Sequence, residues 1–87
     1  MAEKKIILAI GKDEIEFNVT TEEFNRYVNE ITPSDKVSPS RRLLRRTIVN
    51  PEQKELLDTF CDRGLTVQMA TKLIGEFQGE VEIEVKK

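Results

Sequence analysis

The stretch "KKIILAIGKDEIEFNV", residues 4–19, decides the fold. Ile6, Leu8 and Ile10 alternate on one face, "GKDE" turns the chain, and Ile15, Phe17 and Val19 alternate again with Glu14, Glu16 and Asn18 on the opposite face, which is the pattern of a β-hairpin. Ile7 and Ala9 make the second face of the first strand apolar as well, so that strand is expected inside a sheet, with a neighbour on each side. The segment "GEVEIEVKK", residues 79–87, supplies a candidate: Val81, Ile83 and Val85 alternate with Glu80, Glu82 and Glu84. Together these predict a three-stranded antiparallel sheet, the N-terminal hairpin plus a C-terminal strand, with the N-terminal strand central.

Between the hairpin and the last segment the periodicity changes to that of helices. Thr20 and Glu23 have capping-box spacing, Val19 and Phe24 can form the hydrophobic staple around the cap, and Phe24, Tyr27, Val28 and Ile31 continue one apolar stripe. This helix stops before Pro33, which disfavours helical geometry at Thr32. Residues 40–48 read as a second helix, capped by Ser40 or Ser38. Asn50, Pro51 and Gln53 begin a third that carries Leu56, Leu57 and Phe60 and ends at Gly64. A last helix, residues 65–77, turns Val67, Ala70, Ile74 and Phe77 inward, with Met69 and Leu73 widening the stripe. The expectation is a single α+β domain over residues 1–87, with three to four helices packed on one face of the sheet.

Composition narrows the function. The chain has 87 residues, 38% hydrophobic and 34% charged, which suits a soluble domain with a small core and leaves little room for a large enclosed cavity. There is no histidine, so the commonest general base and the commonest transition-metal ligand are both missing. The four glycines are scattered and form no phosphate loop. Aromatics are 6% with no tryptophan, too few for a base-stacking platform. No apolar run approaches the ~20 residues that cross a bilayer. "MAEKKIILAI" lacks the features of a signal peptide, and the single cysteine suits a reducing compartment; the chain reads as cytoplasmic. No catalytic residues, cofactor or metal are expected.

The segment "SPSRRLLRRTIVN", residues 38–50, packs four arginines into six residues of a chain whose formal net charge is -2. On a helix Arg41, Arg42, Arg45 and Arg46 share an arc of about 140°, with Leu43, Leu44, Thr47 and Ile48 opposite. Three readings are open: a solvated face paired with the chain's own carboxylates, a grip on nucleic-acid phosphates, or contact with an acidic protein. Removing these four charges leaves the rest of the chain at -6, and the isoelectric point is near 5.2. Nucleic-acid domains usually spread positive charge more widely, and the acidic strand residues would repel phosphate, so a nucleic-acid-binding regulator is the alternative rather than the main reading.

Cys61 is read as a small buried hydrophobe, since no histidine could activate it. The strand glutamates alternate like a solvated face, Met69 fills the core, and Tyr27 is expected to bury its ring and leave the hydroxyl at the rim.

The order of segments adds one more observation. An opening "IGKDEIEFNVTTEEFNRYVNE", a "PSDKVSPS" connection, an "LLRRTIV" helix and a terminal "EIEVKK" strand together resemble the small tail assembly chaperones of tailed phages and prophages, over nearly the whole chain. The resemblance implies a non-enzymatic protein that coats the tape-measure protein, keeps it soluble, hands it to the tail-tube protein and is absent from the finished virion. Independently of the resemblance, the charge segregation suggests a partner-binding surface: Arg41, Arg42, Arg45 and Arg46 as an electrostatic rim, with Leu43 and Leu44 either packing into the domain or partly contacting the client. Many copies acting on one long client would make a homo-oligomer reasonable, through an exposed sheet edge.

Overall fold

The computed structural model describes residues 2–86. In it, strand β1 (Glu3–Ile10) pairs antiparallel with strand β2 (Asp13–Thr20), placing Ile6 opposite Phe17 and Leu8 opposite Ile15 on the core face. Gly11 and Lys12 make the two-residue link; Gly11 takes φ 62°, the positive value such a turn requires at its first position and one that costs glycine no steric strain. Ile15, Phe17 and Val19 are fully buried.

The hydrogen-bond ladder determines what the two edges of this hairpin offer. Thr21 N–H donates to the Ala2 carbonyl at 3.0 Å. Continuing that alternation along the register makes the even-numbered β1 residues the bonded ones, and aims the backbone groups of Glu3, Lys5, Ile7 and Ala9 away from β2. The outer edge of β2 is partly covered: Val49 N–H donates to the Glu16 carbonyl at 3.0 Å, and the Gln53 side-chain amide donates to the Glu14 carbonyl at 2.8 Å. Among the described residues, no backbone group bonds the outer edge of β1.

Four helices follow. Helix α1 (Thr21–Glu30) is capped by Thr20 as its sequence predicts, the hydroxyl accepting from Glu23 N–H at 3.2 Å, but the Glu23 carboxylate pairs with Arg26 and Arg46 instead of closing the capping box. Helix α2 (Val37–Thr47) begins earlier than expected, where Ser38 N–H donates to the Asp35 carboxylate. It also ends earlier: Ile48 turns extended and bridges to Phe17. Asn50 and Pro51 open the next element as predicted, but its first turn, Pro51–Gln53, is 3-10, and Gln53 serves β2 instead of closing a capping box. Helix α3 (Lys54–Asp62) ends in a Schellman motif, with Leu65 N–H on the Phe60 carbonyl, Gly64 N–H on the Cys61 carbonyl, and Gly64 at φ 85°. Helix α4 (Thr66–Gln78) packs on both α2 and β1. The α+β class and the helices on one sheet face therefore stand. The core joins Ile6, Ile15, Phe17 and Val19 of the hairpin to Leu43, Leu44, Leu57, Phe60, Ala70 and Leu73 of the helices, and Cys61 and Met69 are buried in it.

The sheet has two strands, not the three predicted, and β1 is an edge strand rather than the central one. Residues 79–86 form no strand, and Val81, Ile83 and Val85 are 72%, 87% and 84% exposed; Lys87 lies outside the described residues. Chain direction explains the difference. Residues 65–72 lie beside Leu8–Gly11, while Lys4 Nζ donates to the Glu76 carbonyl at 2.9 Å, so α4 runs antiparallel to β1. A strand leaving α4 thus starts where β1 starts. Its return along β1 would be parallel, not antiparallel, and would need a full reversal at Gly79. Gly79 adopts φ 73° and ψ -178°, and the chain beyond it continues unpaired.

Candidate functional site

Helix α2 carries every residue that the sequence singles out for partner binding. Its two faces separate sharply because leucines and arginines alternate in pairs. Leu43 and Leu44 are fully buried and hold the helix on the core. Thr47 and Ser40 lie beside them: the Thr47 hydroxyl donates to the Leu43 carbonyl at 2.8 Å, and the Ser40 hydroxyl is hydrogen-bonded to the Tyr27 hydroxyl at 3.2 Å. Tyr27 thus buries its hydroxyl along with its ring, and the rim position expected for it is corrected. A buried hydroxyl is costly unless partnered, and Ser40 provides the partner.

The arginines form two columns at i, i+4 spacing on the other face. Arg41 and Arg45 reach α3: both bond the same Asp58 oxygen, at 3.2 and 2.6 Å, and Arg41 also lies 3.8 Å from Asp62. Arg42 and Arg46 reach α1, where Arg42 lies 3.4 Å from Glu30 and Arg46 bonds Glu23 at 2.7 Å and Glu30 at 3.3 Å. Four guanidinium groups thus face Glu23, Glu30, Asp58 and Asp62, and the patch is close to neutral. Burial works against the Arg46 charge, but Glu23 and then Glu30 outweigh it and raise its pKa. The Asp58 carboxyl is held below its usual range, first by the hydrogen bond from Arg45, then, against a small opposing effect of burial, by Arg41.

The four carboxylates were not singled out from the sequence as partners of the arginines, although their spacing carries a signal. Asp58 and Asp62 are four residues apart and Glu23 and Glu30 seven apart, so each pair lies along one face of its helix. The two acidic faces straddle the arginine helix. Among the described residues no group of three or more His, Cys, Asp and Glu side chains could hold a metal ion, and no helix is long and apolar enough to cross a membrane. The surface can exchange ion pairs and hydrogen bonds; it assembles no nucleophile with a base.

A model of the family described as phage tail assembly chaperone matches residues 6–87, nearly the full chain. The chain belongs to that family. No curated protein and no solved structure matches it. Membership supports a role in tail assembly through contact with other tail proteins, in a family that is typically non-enzymatic.

Proposed function

We propose that this phage tail assembly chaperone binds the tape-measure protein in the host cytoplasm, keeps it soluble while the tail tube forms, and leaves before the virion is complete. Arg41, Arg42, Arg45 and Arg46 form the charged rim that meets the client. Leu43 and Leu44, being fully buried, act by seating α2 and do not touch the client.

The observation that carries this reading is the exchangeable character of the arginine pairs. Arg41, Arg42 and Arg45 keep between 40% and 48% of their side chains exposed. Exposed ion pairs contribute roughly 0–1 kcal/mol each, so an acidic client helix can replace an internal carboxylate at little cost. A chaperone that must release its client gains from contacts that are individually weak.

The test is a pull-down of the tagged chain from cells expressing the tail genes, with nuclease treatment. Recovery of the tape-measure protein is expected to survive the nuclease; capture that depends on nucleic acid would instead favour the phosphate-binding alternative. The rim is tested with two variants of opposite sign. Replacing all four arginines with glutamine should weaken client binding and flatten its salt dependence. Asp58→Asn frees Arg41 and Arg45 from their main internal partner and should strengthen binding. If neither variant changes affinity, the rim assignment is wrong even if the client is right.

A further inference from the structure

The unbonded edge of β1 and the unpaired segment after α4 are complementary halves of one pairing, and we propose that residues 80–86 of a second copy of this chain add to the outer edge of β1 as a parallel strand, reciprocally, giving a two-fold dimer. This inference concerns the purified chain alone and does not rest on the identity of the client.

Three observations carry it. The outward backbone groups of Glu3, Lys5, Ile7 and Ala9 have no hydrogen-bond partner among the described residues. Beside them an open groove of about 300 Å³ runs between β1 and α4, its walls including Leu8, Ala9, Ile10, Leu65, Met69 and Lys72. The segment itself has the length and pattern of a strand, seven residues against eight in β1, with Val81, Ile83 and Val85 alternating against three glutamates and all three exposed. A strand laid in that edge would turn its apolar side chains toward Leu8, Ile10 and Met69, and its glutamates toward the face that carries Lys5.

A second copy is favoured over the chain's own segment on direction. Helix α4 delivers residues 80–86 to the start of β1, from which they can only return parallel after a full reversal at Gly79. A copy related by a two-fold axis set across the start of β1 takes up the segment as it continues past that point, in parallel and with no reversal in either chain. An exposed edge strand is also the usual template for such addition.

The test measures the mass of the purified full-length chain by analytical ultracentrifugation across a concentration series, together with amide hydrogen exchange. The expected result is a concentration-dependent dimer in which the amides of Lys5, Ile7, Ala9, Val81, Ile83 and Val85 exchange more slowly by about tenfold or more as the dimer forms. A chain ending at Gly79 should remain monomeric with its helical circular dichroism intact. Lys5→Pro should also dimerise more weakly by about tenfold or more, because it removes an outward N–H and leaves the β1–β2 ladder bonds untouched. A chain that stays monomeric at every concentration overturns the proposal, as does a monomer whose β1 edge amides are already protected, the signature of its own segment folded back. A dimer that persists in both variants overturns it as well.

Discussion

The arginine face of α2 and the segment after Gly79 differ in where their unmet interactions end. The arginines are the densest charge in the chain, yet each has a carboxylate from α1 or α3 within 4 Å, and the patch nearly cancels itself. The terminal segment carries three large apolar side chains and a strand's alternation, yet pairs with no strand among the described residues. A conspicuous residue run can thus be internally satisfied while a regular one is left open. What decides is the direction in which the chain delivers each segment to its complement: α2 lies between two acidic helices, whereas α4 leaves its terminal segment at the wrong end of β1.

The sharpest contrast comes from cutting one apolar side chain in each region. Leu43→Ala opens a cavity beneath the arginines and should destabilise the fold by about 3 kcal/mol. Ile83→Ala, at protein concentrations that keep the chain monomeric, should stay within ~0.5 kcal/mol because its side chain is already in water. Urea unfolding of both variants measures this. A large loss for Ile83→Ala in the monomer would mean that the terminal segment packs on its own domain, and the comparison would collapse.

A smaller effect tests what lies under the arginine face. Tyr27→Phe deletes the only hydrogen-bond partner that the fully buried Ser40 hydroxyl has among the described residues, and the stranded group should cost roughly 1–2 kcal/mol in the same assay. The double change of Tyr27→Phe with Ser40→Ala should recover part of that loss, since no buried oxygen is then left without a partner. Still smaller is the coupling across the rim itself: a double-mutant cycle on Arg46 and Glu23 should give about 0.5 kcal/mol, falling with added salt. A coupling several times larger would make the pair a structural clamp and remove the argument that the rim can exchange partners.

How much of this was legible beforehand follows the range of each signal. The hairpin, the Thr20 cap, the Asn50–Pro51 start and the Gly64 stop rest on neighbours within a few residues, and all were readable. The amphipathic split of α2 was readable too, because it is a property of one helix. Its boundaries were not, since Ile48 leaves the helix to bridge Phe17, a residue 31 positions earlier in the chain. The placement of the terminal segment failed for the same reason. Alternation in "VEIEV" shows that the residues can form a strand, but which edge they reach depends on the path of α4, and that path depends on packing against α2 and β1. For the arginines, the segment itself carried no sign of Glu23, Glu30, Asp58 and Asp62 as partners. The paired spacing of those acids on two other helices was the available clue, and it gains meaning only once the helices are known to flank α2.

The finest test of the internal neutralisation is its dependence on pH. The Asp58 carboxyl is held below its ordinary value, chiefly by the hydrogen bond from Arg45 and then by Arg41, while in the unfolded chain it returns to about 3.9. A carboxylate whose folded pKa is depressed contributes stability that is present in full above the unfolded value and lost as pH falls through the folded one. The stability difference between the native chain and Asp58→Asn should therefore be constant from neutral pH down to about pH 5 and shrink progressively below about pH 4. The Asp58 side chain is 34% exposed and partly screened by solvent, so the difference is expected to be small, and high salt should reduce it further. Urea midpoints of the two proteins between neutral and acid pH measure it. A difference that stays constant to the lowest pH at which both fold would show that Asp58 acts through packing or geometry rather than charge, and that the arginine columns are less fully neutralised than their distances imply. In that case the cationic face would be available to a partner without displacing anything, and the strengthening expected of Asp58→Asn in client binding should vanish along with the pH dependence.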